Sequence, residues 1–336
     1  MVRFDELQRD AIQEISKKLT FLQDYIYLRV VCRRFFSSIP PTPKHLPLQL
    51  PWLFYPPRQQ NRRFFNFSTH KFHHLSFPNT SCHQRECGSS QGWLVILDEK
   101  SPKIVLINPL KGLEQEKVHL PALTSFPNVI GFNPSRTGHE FEVESYEGGK
   151  SNLFCLKAMR DRFIKKIIIS STSLKDAGFV AVALLSKSMA YYRGGGDFSW
   201  RFIDVLLTSW VDIMYHNELL YAVDISGDIM VCNLKSDPPT VSIIEMQETP
   251  SEVVLCHEMY LVGSTDDLFL VLQYLDTRYY SDYRLSHTTR RFDVLRIDRS
   301  EQLAQWNPVT DVGERAFFVG QNESVCFMAS EHIFYQ

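Results

Sequence analysis

Hydrophobic positions along the chain fall into two regimes. In the first, Ile12, Ile15 and Leu19 recur at steps of three and four while Gln13, Glu14, Lys17 and Lys18 take the other face, the period of an amphipathic helix. Asp10 and Gln13 have the spacing of a capping pair at its start. Ile26, Leu28 and Val31 predict a second short helix and Cys32, Phe35 and Phe36 a third, after which Pro40, Pro41 and Pro43 stop helical structure. Domains below about 40 residues rarely stand alone without a disulfide, a metal or a partner. The apolar surface that three such helices cannot cover is therefore expected to be an interface.

In the second regime, beyond residue 64, helical periodicity gives way to short strands and turn signals. Gly92–Leu97, a turn at Asp98–Pro102 and Lys103–Pro109 read as a hairpin, as do Phe141–Tyr146, Glu147–Lys150 and Asn152–Leu156. Trp210–Tyr215, Leu219–Asp224 and Ile229–Leu234 form a three-stranded meander, and Met259–Gly263, Leu268–Leu275 and Phe292–Ile297 repeat the idea. Meanders recurring about every 40 residues predict a mainly β chain ending in a β-propeller of about six or seven blades. A sandwich or an open barrel pair is the alternative.

Between the regimes lies a connector, 44–63, in which Pro47, Pro51, Pro56 and Pro57 break regular structure, while Leu46, Leu48, Leu50, Trp52, Leu53, Phe54 and Tyr55 are too apolar to float. The expected domains are thus helices over 1–43, a linker over 44–63 packed on the propeller, and the propeller over 64–336.

Composition narrows the class. A chain of 336 residues with 44% hydrophobic and 22% charged content is globular, with room for one large domain and a small one. The first six residues are polar and acidic where a secretory signal would be basic and then apolar. The longest smooth apolar run, Phe179–Leu185, is too short to span a bilayer. Seven scattered cysteines, an odd number, point to reduced thiols. A soluble protein of cytosol or nucleus is expected, with no membrane partner. The net charge of −2 is uneven, with about +7 through residue 75 and about −9 beyond. Arg33–Arg34 and Arg62–Arg63 could touch nucleic acid, but a solvated basic face explains them more simply, and no nucleic-acid partner is expected.

Two sets of residues carry a family resemblance. Leu7, Ala11–Ile12, Ile15, Leu19, Asp24, Leu28, Val31–Cys32–Arg33 and Phe35 fall at the spacings of an F-box, the motif that docks onto the Skp-type adaptor of SCF ubiquitin ligases. Gln8 stands where the family usually has proline, and Phe35 where it usually has tryptophan. Farther on, Gly88–Leu94, Leu106–Leu110 with Leu120–Pro121, Asp212–Asn217 with Leu220–Asp224, and Arg315–Gly320 are similar to signatures of plant F-box proteins with a C-terminal KIB-type β-propeller. The resemblance implies a non-catalytic receptor. Leu7, Ile12, Ile15, Leu19, Leu28, Val31, Cys32 and Phe35 would divide between the small domain's own core and the Skp-type adaptor, which in turn leads to a cullin. The propeller's loop-bearing face would hold an unidentified target protein. Arg278, Tyr279, Tyr280 and Tyr283 are the candidate target contacts, because Tyr and Arg dominate interface hot spots. Tyr191–Tyr192–Arg193 and Trp200–Arg201 are either further contacts or strand residues packed between blades. The rival reading is a free-standing scaffold whose F-box has decayed around Gln8.

Candidate chemistry elsewhere is thin. His70, His73, His74, Cys82, His83 and Cys87 crowd one stretch, but no CxxC pair anchors a zinc site. Gly148–Gly149–Lys150–Ser151 echoes the end of a phosphate-binding loop, with Glu144 where its first glycine belongs. Arg193–Gly194–Gly195–Gly196 has no helix behind it. Asp224, Asp228, Asp266, Asp267 and Asp282 could supply a hydrolytic pair, yet turn chemistry accounts for most of them. No catalytic residue, metal or cofactor is expected.

Overall fold

The first helical pattern becomes three helices, α1 (Arg9–Lys17), α2 (Leu22–Val30) and α3 (Arg33–Ser38). The computed structural model describes residues 7–40, 43, 45–46, 50–55, 62–75, 84–98, 100–108, 117–146, 148–171, 178–205, 208–265, 267–279 and 285–329. Cys82, His83, Asp266, Tyr280, Asp282 and Tyr283, and the side chain of Tyr279, lie outside the described residues. Two compact units emerge. One draws on 1–82, 108–116 and 327–336, the other on 83–107 and 117–326.

In the first unit, Ile12, Tyr25, Phe35 and Ile39 form a buried core, with Leu7, Leu19, Leu28, Cys32 and Leu46 packed around it. The Tyr25 hydroxyl donates to the Pro40 carbonyl at 2.8 Å, which ties α2 to the chain leaving α3. The unit also holds an antiparallel sheet of β1 (Trp52–Tyr55), β2 (Arg62–Asn66) and β3 (Lys71–Leu75). Residues 52–55 are therefore a strand and not an irregular connector. Trp52 and Phe54 share one face of the pleat and both meet the Phe64 ring, at 6.4 and 5.1 Å.

The second unit is built from four-stranded antiparallel sheets in simple meander order. They are β4 (Arg85–Ser90), β5 (Trp93–Leu97), β6 (Ile104–Ile107) and β7 (Lys117–Leu120); β11 (Ile164–Ile169), β12 (Val180–Leu185), β13 (Met189–Arg193) and β14 (Arg201–Phe202); β15 (Trp210–His216), β16 (Leu219–Asp224), β17 (Ile229–Asn233) and β18 (Thr240–Ile244); and β19 (Glu258–Gly263), β20 (Leu268–Tyr279), β21 (Leu285–Asp298) and β22 (Gln305–Val309). A three-stranded sheet of β8 (Val129–Phe132), β9 (Phe141–Glu144) and β10 (Ser151–Phe154) lies between the first two of these in sequence, and β23 (Arg315–Phe318) pairs with β24 (Val325–Met328). Among the described residues these are six sheets, within the expected six or seven, and the architecture is a propeller.

The inner strands meet directly. The Ser90 hydroxyl donates to the Ile169 carbonyl at 3.1 Å, so β4 lies against β11 although a whole sheet intervenes in sequence. Gly88 permits that approach: a Cβ there would sit 2.3 Å from the Ile167 carbonyl oxygen. On β15, Asp212 accepts from Lys166 Nζ of β11 at 2.6 Å and from the Leu261 amide of β19 at 2.9 Å. Strands β12 and β5 are buried at every position, as strands covered on both faces must be.

Candidate partner-binding sites

The helical unit sorts the expected docking residues by which way their helix faces. Ile12 and Phe35 keep 0% and 1% of their surface and lie in the small domain's own core, one of the two places expected for this set. Leu7, Leu19, Leu28 and Cys32 flank that core half-buried. Ile15 and Val31, at 39% and 61%, face solvent. Three exposed apolar residues join them that the sequence reading did not single out for docking: Tyr27, Val30 and Phe36. The signal was present, since these are large apolar side chains on short helices, but spacing alone does not say which face is already covered. Beside them is a cleft of about 460 Å³ lined by Arg9, Gln13, Arg29 and Phe36. Gln13 Nε2 and Arg29 Nε donate to the Ser38 and Ile39 carbonyls, and the Arg29 guanidinium lies 4.0 Å from the Phe36 ring centre. These contacts join α1 and α2 to the chain leaving α3 and set the guanidinium over the Phe36 ring.

The propeller's candidate site is the mouth where its inner strands begin. Arg85, Ile164, Lys165, Lys166, Val211, Asp212, Glu258 and Tyr260 line a cavity of about 330 Å³ at the first residues of β4, β11, β15 and β19. Its floor is charged. Burial pushes the Asp212 carboxyl up, against Lys166 and against hydrogen bonds from the Leu261 and Ile213 amides. Burial also raises Glu323, opposed by a hydrogen bond with Ser90 and by the Lys166 charge. It lowers Lys165, opposed by Glu258, and Lys165 Nζ donates to the Trp210 carbonyl at 2.7 Å. Arg85 is spent on main chain, donating to the Arg160 and Ile164 carbonyls, both at 2.7 Å.

Strand β20 runs toward this same rim, because Gln273 pairs with Glu258 at the start of β19. It continues past the rim, so that Tyr274–Tyr279 and Leu285–Arg291 form a two-stranded arm beyond the blade. Arg278 is exposed on this arm. The sequence reading stopped the two strands at Leu275 and Phe292; the structure carries them to Tyr279 and back from Leu285.

Other candidates resolve into structural roles. Tyr191 and Tyr192 are buried in β13, and Trp200 is stacked on Phe126 at 4.8 Å with its indole nitrogen donating to the Pro121 carbonyl at 2.9 Å. Arg193 donates to the Leu234 and Ser236 carbonyls. These residues pack between blades. Asp224 closes its turn by accepting from the Ser226 and Asp228 amides, and Asp267 is paired with Arg315 at 3.2 Å. His73 stacks on Trp52 at 4.7 Å. Among the described residues no group of three His, Cys, Asp or Glu side chains is arranged to hold a metal. Burial pushes the Cys87 and Cys232 thiols up to about 12 and about 11, far from a reactive thiolate.

Comparison with known proteins adds the family. Residues 64–335 match the KIB1-4 beta-propeller family model. The Arabidopsis thaliana F-box protein At5g55150 is 26% identical over 64% of this chain, a match spanning 55% of that protein, little more than half its length. The A. thaliana F-box proteins At3g25750 and SKIP23 are 22% and 23% identical, each over 98% of this chain and over 84% and 81% of their own lengths. Among solved structures, Saccharomyces cerevisiae Sqt1 aligns with 75% of this chain and 83% of its own at 12% identity and a TM-score of 0.34, too distant to support a conclusion. With helices at the F-box spacings ahead of a propeller that matches along nearly its whole length, the chain belongs to the KIB1-4 beta-propeller family, as a plant-type F-box protein.

Proposed function

We propose that this chain is the substrate-recognition subunit of an SCF-type E3 ubiquitin ligase. Its helical unit docks on a Skp-type adaptor and through it a cullin, and its propeller holds the target protein. The observation that carries this reading is the apolar set Ile15, Tyr27, Val30, Val31 and Phe36, left in water around a core that is already closed. A side chain fully buried by a partner is worth about 1.5–3 kcal/mol, so three or four of them offset much of the cost of association. The F-box names of the relatives support the same partner. The chain makes no bond itself. Its contribution to ubiquitin transfer is proximity, holding target lysines near a charged enzyme.

The test is a titration of the full chain with a purified Skp-type adaptor, comparing wild type with Ile15→Asp and Val31→Asp. Both positions are exposed, so the variants fold, and a charge placed in a desolvated interface removes binding. Wild-type affinity in either variant, or no binding by wild type, overturns the proposal. The scaffold reading rests on Gln8. The backbone there has φ −65° and ψ 153°, and that φ is the value proline imposes, so the entry turn keeps its shape without proline. Adaptor binding that appears only in Gln8→Pro would favour the scaffold.

A further inference from the structure

We infer that the arm of β20 and β21 captures an extended acidic segment of the target protein as an added β-strand. The inference rests on the receptor reading above and names the kind of element that the receptor takes. β19 pairs with β20 only as far as Gln273, and β22 pairs with β21 only from Val294 onward. Beyond those points the Leu275 amide donates to the His257 ring at 3.3 Å; past it both edges of the arm are unpaired with any other strand among the described residues, over Asp276–Tyr279 of β20, a span of about 13 Å at the usual rise per residue. Open main-chain edges of that length are templates for another strand.

Three features distinguish this arm from a blunted edge. Leu285 and Phe292 are 55% and 48% exposed on β21, large apolar groups that a purely protective edge would replace. The described arm carries Arg278, Arg290 and Arg291 against Asp276 alone, on a body that is otherwise acidic. Arg291 is held over the Tyr274 ring at 4.3 Å and paired with Asp293 at 3.0 Å, whereas Arg278 and Arg290 make no ion pair among the described residues. Arg290 is the extra residue of a bulge opposite Tyr274 and Leu275, which sets its side chain out of the ladder. The ribbon is also stiffened in advance: Tyr260 donates to Gln273 at 2.8 Å, Gln273 donates to Thr289 at 2.7 Å, and Thr277 and His287 lie 3.0 Å apart. A rigid basic edge lowers the ordering cost for an incoming acidic strand, and the acidic body repels that strand elsewhere.

The test is fluorescence anisotropy of the full chain, without adaptor, with a labelled peptide of roughly ten residues alternating Glu and Val. Controls are a Lys–Val peptide, the Glu–Val peptide with proline at its centre, and single-stranded oligothymidylate. The Glu–Val peptide is expected to bind and the Lys–Val peptide not. Arg278→Glu with Arg290→Glu, and separately the proline, should each weaken binding about tenfold or more. The substitutions are at exposed sites, and unchanged melting of the variant verifies the fold. Equal binding of the proline peptide, tighter binding of the oligonucleotide, self-association that the double variant abolishes, or no peptide binding overturns the inference. Because adaptor is absent from the assay, failure here leaves the adaptor titration to stand or fall alone.

Discussion

At position 8 a glutamine occupies a backbone site shaped for proline, with φ −65°. Replacement by proline at a compatible φ removes freedom from the unfolded chain, so Gln8→Pro is expected to stabilise the helical unit by about 0.4–1 kcal/mol in chemical denaturation. Asp212 is the opposite kind of residue, a buried acceptor for Lys166, Leu261 and Ile213 at once. Removing one partner of such a pair strands the other charge, so Asp212→Ala should cost about 3–5 kcal/mol by urea titration, while Asp212→Asn combined with Lys166→Met, which keeps an acceptor for the Leu261 and Ile213 amides, recovers part of the loss. Glu323 gives a pH signature. Burial raises its carboxyl in the folded state, so the fold binds its proton at higher pH than the unfolded chain does. Its favourable contribution is present at low pH and lost as pH rises through the folded pKa. Glu323→Gln is therefore expected to raise the melting temperature at about pH 8 and to leave it nearly unchanged at about pH 4.

The elements differ in how far residue order reveals them. The hairpin of β5 and β6 and the meander of β15, β16 and β17 were legible because apolar runs of strand length end at turns such as Asp98–Pro102 and Ser226–Gly227–Asp228. The arm was not, because a ribbon wet on both faces has no buried side to impose alternation, and polar stretches such as Thr277–Arg278 and His287–Thr288–Thr289 carry no strand signal. Strand β1 was hidden by the prolines around it. The contact of β4 with β11 was also illegible, since consecutive order predicts β8–β10 as the neighbour, and only the missing side chain at Gly88 hints at a close approach. Gly88→Ala forces the new methyl against the Ile167 carbonyl, and a loss of about 1–3 kcal/mol or more is expected in thermal or urea unfolding.

Over the whole molecule, two kinds of recognition surface separate by chemistry. The helical unit offers apolar side chains, Tyr27, Val30, Val31 and Phe36, while the arm offers arginines. Salt screens exposed charges within about 10 Å at 0.1 M and leaves apolar burial largely intact. Raising salt from about 0.05 to about 0.5 M should thus weaken adaptor affinity little and acidic-peptide affinity strongly, as measured by paired titrations on one preparation. Fold class and the place of the three N-terminal helices were legible at this scale, since both follow from periodicity. The division of the docking residues into core and surface was not, because it depends on how α1, α2 and α3 pack. The Asp212 carboxylate also bears on how the chain is made. Its donors lie 46 residues before it and 49 residues after it, so a ribosome releases Lys166 well before Asp212 and Asp212 well before Leu261. Until Leu261 is made, Asp212 can pair with Lys166 but lacks the amide that β19 supplies. The buried network around Asp212 is therefore complete only once β19 is in place, and a truncated product lacking β19 would leave that carboxylate short of one donor.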